Sequence, residues 1–288
     1  MNALRIRGRS PLAPVAYYVV GTTLALAFLF PLLYIGFRSF LPATADATGV
    51  GWNSVLDLTA RNYRMIFAPE VGLYRYVINS LIVGVSTALV VAVAATLAGY
   101  VLSRIRFQFD NVVFLVLLGP LFVPYQGLLT PLSFQLSQLK LLDTLPGVIL
   151  ILATFQLPFA IFVMRNTFDA VPIELEEAAQ IDGASLLGAI RRIMLPLCWP
   201  GIVTVALFGF MAGWNDLLTS VVLLTNQNNY TLPIVLTTLT TTVSFGVPVI
   251  DTGLLTATAS IATAPVIVLF LALQRYYTRG LISGSLKS

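Results

Sequence analysis

The chain has 288 residues, 58% of them hydrophobic and only 10% charged, with a mean hydropathy of +0.90. Soluble domains are about 45–50% apolar and about 25% charged, so a water-soluble globule is excluded and an integral membrane protein is expected. Histidine is absent, Cys198 is the only cysteine and the net charge is +4, which removes histidine acid–base chemistry, His or multi-Cys metal sites and intrachain disulfides.

Six stretches have the roughly 20 apolar residues that a bilayer crossing requires. They lie near 15–37, 76–102, 112–136, 147–168, 197–224 and 253–277. The first follows a short basic segment, 1–14, and is longer than a signal peptide's apolar region of about 7–15 residues, so it reads as a retained span. The second is rich in small residues (GVSTALVVAVAATLAG), and so is the sixth (TGLLTATASIATAP). Small residues let helices approach closely, either for plain packing or around a pathway. Asn79, early in the second span, needs hydrogen-bond partners there. It is read as an interhelical bond or as a pathway contact.

The third stretch contains Gly119, Pro120, Pro124, Gly127 and Pro131. Such breaks are tolerated at membrane depth where protein or a water-filled cavity satisfies the freed backbone. Tyr125 and Gln126 sit in that broken middle and are the first choice for lining a pathway. In the fifth, GWNDLL places Trp214, Asn215 and Asp216 together. This is an interfacial aromatic at a helix end, or the aromatic, amide and carboxylate set that binds sugars. Cys198, in LPLCWPG, reads as a small packed hydrophobe.

Eleven of the sixteen basic residues fall on the side shared by both termini, and five on the other: Arg38, Arg61, Arg64, Arg75 and Lys140. The positive-inside bias makes the shared side cytoplasmic. Asp216 and Asp251 then lie toward the outer ends of spans five and six, with no Lys or Arg mid-span. Intramembrane charge of the kind that ion-driven carriers use is nearly absent. The scattered basic residues suit membrane anchoring and give no reason to expect a nucleic-acid partner.

Between spans four and five the pattern changes. Asp169, Glu174, Glu176, Glu177 and Asp182 put five of the twelve acids into fourteen residues. A short surface helix is expected, with Pro172 in its first turn, glutamates at its positive end, Ala178 and Ala179 as a flat close-approach surface and Gly183 as its stop. A second helical piece then feeds span five through Pro196 and Pro200. Interfacial helices that lie on lipid carry Lys and Arg on the polar face. A glutamate-rich one is better suited to docking on a basic protein surface.

Glu177-Ala178-Ala179, Gly183 and Ile193-x-Leu195-Pro196 reproduce the spacing EAA-x3-G-x9-I-x-LP, and in this loop (169–196) the chain resembles bacterial ABC importer permeases. YVINSLIVGVST, LSRIRF, ELEEAAQIDGAS and GWNDLL are similar to the carbohydrate-uptake branch, in particular the second permease of the maltose-type heterodimer. The resemblance implies an all-α membrane protein of the type I importer kind, with six transmembrane helices, a cytoplasmic coupling helix and a cytoplasmic tail at 279–288. It implies a sugar permease in the bacterial cytoplasmic membrane with both termini inside. Its partners would be a homologous second permease, two copies of an ABC ATPase, an extracytoplasmic solute-binding protein and membrane lipid. ATP and Mg would be used by the ATPase, with no cofactor bound and no catalysis by this chain, which has no G-x4-GK[ST] phosphate cradle. Glu174, Glu176, Glu177, Ala178, Ala179, Asp182, Gly183, Leu195 and Pro196 would couple it to the ATPase. The outer segment from Thr225 to Pro248 has the position of the loop that probes the binding protein. Alternatives are a phosphorylated polyol such as glycerol-3-phosphate as solute, an ion-driven carrier, or a membrane enzyme.

Overall fold

A computed structural model of the protein describes residues 12–42, 58–69, 72–240, 243–244, 247–248 and 251–285, with side chains at 17–42, 58–69, 72–240 and 251–272. The basic residues Arg5, Arg7, Arg9 and Lys287 and the end of the tail, 286–288, lie outside the described residues. So do the side chains of Arg275 and Arg279.

The long helices form where bilayer-length apolar runs leave the backbone no partner but itself, and a short unexpected helix precedes the second of them. The elements of the first half are, in chain order, α1 (Leu12–Arg38), a short α2 (Arg61–Phe67), α3 (Tyr74–Arg104), α4 (Asp110–Leu118), α5 (Leu129–Gln138) and α6 (Leu145–Asp169). The acidic helix α7 (Ile173–Ile181) follows, then α8 (Leu186–Ala189) and α9 (Leu195–Leu197) joined by a π-helical turn, Ile190–Met194. Next come α10 (Trp199–Trp214), α11 (Leu218–Leu223) and α12 (Leu232–Thr240), a two-residue hairpin pairing Val243–Ser244 with Val247–Pro248, and α13 (Thr252–Ser285).

Four helices are long and apolar enough to cross a membrane: Tyr17–Arg38 of α1, α3, α6 and Thr252–Ala272 of α13. Two broken pairs also qualify. Asp110–Phe122 and Tyr125–Gln138 meet at 84°, and Leu186–Leu197 and Trp199–Trp214 at 73°. The third stretch is therefore broken at the prolines, through two 3-10 turns, Gly119–Phe122 and Tyr125–Leu128. The fifth departs from the expected continuous 197–224. It bends sharply at Cys198 and stops at Trp214, because Asp216 caps a new helix, α11: its carboxylate accepts from Ser220 N at 2.8 Å and Thr219 N at 3.3 Å.

At the centre, α3 packs against α6 and α10. Val91, Ala92, Ala95 and Leu102 of α3 meet Ala153, Ala160, Ile161, Met164 and Phe168 of α6, with Met194, Cys198 and Val205 closing the cluster. The small residues of α3 make these crossings close. A Cβ added at Gly213 would stand 2.8 Å from the Gly84 Cα, and one at Gly99 would stand 2.6 Å from the Met164 Cβ. In the absence of a hydrophobic force between helices in lipid, such contact supplies the association. The small residues of α3 are thus packing residues. Cys198 is fully buried, as expected. By contrast α1 leaves Tyr17, Phe28 and Phe30 exposed and meets the body mainly through α13.

Candidate functional site

Polar chemistry collects at the two ends of this core. At one end α7 begins at Pro172, which is the N-cap (φ −56°, ψ 133°). The sequence expectation placed it one position later, in the first turn. Glu174 and Glu176 occupy that turn, where carboxylates complement the helix dipole. Gly183 stops the helix at φ +89°, with Gly183 N donating to Gln180 O and Ala184 N to Ala179 O, both at 3.0 Å. This pair of bonds is the Schellman closure that favours glycine. Ser185 then caps α8 by accepting from Gly188 N at 3.2 Å.

The acids of α7 divide between two faces, because positions three and four apart share one side of a helix. Glu176 and Ala179 turn inward and are buried. One Glu176 carboxylate oxygen accepts from the Tyr100 hydroxyl at 2.5 Å, and the other lies 3.4 Å from Arg104 Nε. Glu174, Glu177, Ala178 and Asp182 face outward with Ile173, Leu175 and Leu187, and with Ile181 at 85% exposure. Among the described residues these three outward acids form no ion pair. A cleft of ≈ 280 Å³ runs along the helix, lined by Tyr100, Arg104, Ile173, Glu176, Glu177 and Leu186. Beyond the π turn, Leu195 is half-buried against the core and Pro196 is exposed at the 73° elbow. Tyr100 and Arg104 escaped the sequence reading. Their signal was a tyrosine and an arginine four residues apart at the end of a span, in a position that positive-inside bias already accounts for.

The proposed pathway residues have other employment. Trp214 is 2% exposed, stacks on Phe210 with centroids 5.8 Å apart, and donates its indole N–H to Ala262 O of α13 at 2.9 Å. Asp216 is buried as the α11 cap, and Asp251 accepts from Leu254 N at 2.9 Å to cap α13. Asn79 reaches from α3 to the 3-10 turn Gln227–Asn229 and to the residue that follows it. Its amide donates to Asn228 O and Tyr230 O, both at 2.9 Å. Tyr125, half-buried, tilts against Phe155 with centroids 5.1 Å apart. Gln126 and Asn215 are exposed. Of the six, Tyr125, Gln126 and Asn215 keep a surface that a solute could touch.

The end opposite α7 carries a second polar construction. Asp143, at φ 58°, accepts from Thr225 N at 2.9 Å and Asn226 N at 3.0 Å. These N–H groups, that of Asn226 foremost, hold its carboxyl below the usual aspartate range. Asn229 donates to Asp143 O at 2.6 Å, Arg75 to Asn228 Oδ1 at 2.5 Å, and Leu232 N to Ser80 Oγ at 2.8 Å. Residues 225–232 are thereby fastened to α3 and to the start of α6.

Comparison with known proteins places this geometry. A profile described as "Binding-protein-dependent transport system inner membrane component" matches residues 91–283. The chain is 34% identical over 272 residues to the trehalose transport system permease protein SugB of Mycobacterium tuberculosis, covering 94% of this chain and 97% of that one. It is 36% identical over 230 residues to a protein of Streptomyces antibioticus named as an ABC transporter permease, ORF1, covering 80% and 98%. It is 32% identical over 268 residues to the arabinooligosaccharides transport system permease protein AraQ of Halalkalibacterium halodurans, covering 92% and 93%. In fold it is similar to a chain of a crystallised bacterial ABC transporter involved in import of the acidic polysaccharide alginate. The TM-score is 0.80 at 22% identity, over 94% of this chain and 98% of the other.

Proposed function

The chain belongs to the binding-protein-dependent transport system inner membrane components, and from that premise we propose that it carries a mono- or oligosaccharide through the cytoplasmic membrane, driven by a separate ATPase that docks on α7. The observation that carries the docking role is the outward face of α7. Three carboxylates that form no ion pair among the described residues stand beside exposed Ile173, Leu175 and Ile181. A lipid surface would repel those charges, whereas a basic protein groove would receive both the acids and the apolar side chains.

A family member of this kind works with an ATPase and a binding protein. Here the end bearing α7 is cytoplasmic, both termini lie on that side, and the 225–232 segment faces the binding protein. A homologous permease completes the pathway, with α1 and the broken α4–α5 arm turned toward that partner or toward lipid. Closure of two ATPase copies around ATP and Mg pushes α7, and the α3–α6–α10 core rocks between inward- and outward-facing states. This chain transmits and conducts, while hydrolysis belongs to the ATPase. The named solutes of SugB and AraQ, trehalose and arabinooligosaccharides, support the sugar class.

The test is co-expression with the partner permease and ATPase, followed by purification and reconstitution with the binding protein. Wild type and Glu177→Lys are compared for retained ATPase and for ATP-dependent uptake of labelled trehalose and arabino-oligosaccharide. The substitution should release the ATPase or uncouple hydrolysis from uptake. Unchanged assembly, hydrolysis and uptake would remove Glu177 from the coupling surface. A wild-type chain that retains no ATPase would overturn the importer reading itself.

A further inference from the structure

Burying Glu176 is costly. A carboxylate taken out of water loses hydration that an ion pair seldom returns in full, so a buried pair is weak ground for stability and is better accounted for by the position it enforces. Glu174, Glu177 and Asp182 stay exposed, and only Glu176 turns in.

What it meets is a single joint. Arg104 is in the last turn of α3, and Tyr100 stands one turn before it on the same face. One guanidinium nitrogen of Arg104 donates to Phe168 O at 2.9 Å and Val171 O at 2.7 Å, at the end of α6 and in the link to α7. Its Nε faces Glu176 Oε2 at 3.4 Å, and neither atom makes a hydrogen bond there, so the two are held by charge alone. The Tyr100 hydroxyl binds the other Glu176 oxygen, and its ring meets Phe168 edge-on with centroids 5.6 Å apart. Ser103 donates to Asp169 at 2.5 Å beside them. Two adjacent turns of α3 therefore grip α7 through one side chain, Glu176, and the end of α6 through its backbone and the side chains of Phe168 and Asp169.

We propose that Arg104 and Tyr100, holding Glu176, are the positioning residues that carry a displacement of α7 into the α3–α6 pair, as a latch distinct from the docking face. The inference rests on the importer reading, which supplies the push on α7. Glu176 binds no ATPase side chain in this arrangement. It ties the helix that the ATPase moves to the helices that open and close the path.

Hydrogen exchange on the whole complex in lipid nanodiscs tests the latch without any solute. The probe is ATP with Mg and vanadate, and the readout is the nucleotide-dependent change in exchange at 173–181 and at 100–105. In the wild type both segments should respond. Glu176→Gln keeps the shape and removes the charge, so 173–181 should still respond while the response at 100–105 falls by about tenfold. Tyr100→Phe leaves both charges and removes one hydroxyl, so a fall of about threefold at 100–105 is expected even if the first variant fails to assemble. An undiminished response at 100–105 in Tyr100→Phe, or in an assembled Glu176→Gln, overturns the latch. Loss of the ATPase from a folded Glu176→Gln permease also overturns it, since Glu176 would then be a docking contact. A wild-type chain that holds no ATPase instead sinks the importer reading on which the latch depends.

Discussion

Replacing Asn79 with leucine separates a tether from a solute contact. The side chain is 8% exposed, and its amide supplies two hydrogen bonds, to Asn228 O and Tyr230 O at 2.9 Å each. Each bond contributes about 1 kcal/mol net, so losing both costs about 2 kcal/mol, or roughly a thirtyfold rise in local opening. Arg75 and Ser80 still hold Asn228 and Leu232, so the floor is the loss of one effective bond, about fivefold. Amide exchange at 228–232 should therefore accelerate by about five- to thirtyfold, while exchange at the centre of α6 stays unchanged. The uptake KM for labelled trehalose should not move beyond what weaker engagement of the binding protein produces. Exchange that stays at the wild-type rate, combined with altered discrimination among sugars, would refute the tether and return Asn79 to the pathway.

Gly213→Leu brings a Cβ within 2.8 Å of the Gly84 backbone and 2.9 Å of Val83 O, which cannot swing aside. The α3–α10 crossing must open at a cost of about 1–3 kcal/mol, visible as a lower Tm in detergent; a Tm equal to wild type would deny the close approach. Asp143 contributes to holding 225–226 above its unfolded pKa, because its folded pKa is depressed, and that contribution is lost as the pH falls through the lowered value, below about pH 4. Protection of the Thr225 and Asn226 amides, corrected for intrinsic rates, should drop from pH 6 to pH 3 in the wild type. In Asp143→Asn it should already be low and nearly flat; matching profiles would show that the carboxylate is not the grip.

The crossing helices were legible because a bilayer demands length and apolarity, and α3, α6 and α13 begin within a few residues of the expected positions. Gly183 was legible for a local reason: an acidic, alanine-containing run has to stop, and glycine is the residue that turns left-handed. The division between Glu176 and Glu177 was not legible. Both are glutamates on one short helix, and only the arrival of Tyr100 and Arg104, more than seventy residues earlier in the chain, decides which of them turns inward. The same holds for Trp214 and Asp216. GWNDLL reads equally as an interfacial aromatic at a helix end or as a sugar-binding set, and the indole goes to a backbone carbonyl of α13 while the carboxylate starts α11. Apart from the Ser220 hydroxyl, which also bonds Asp216, those partners are backbone groups, which leave no mark in a sequence. The interruption at 215–217 was hidden for a related reason, since LLTSVVLL continues the apolar run on its far side.

The fastening of residues 225–232 has a consequence for how such a protein changes. Most of the bonds that tie it to the rest of the chain run from helix-borne or turn-borne side chains, Asn79, Ser80 and Asp143, to backbone atoms of the segment. Arg75 with Asn228 Oδ1 and the Asn229 amide with Asp143 O are the exceptions, while the side chains of Asn226 and Tyr230 bond within the segment. The shape of the segment is therefore set largely by residues outside it. The exposed side chain of Gln227, which makes none of these bonds, is free to be rewritten without redrawing the loop, so a lineage or an engineer can alter the chemistry of this surface on an inherited frame.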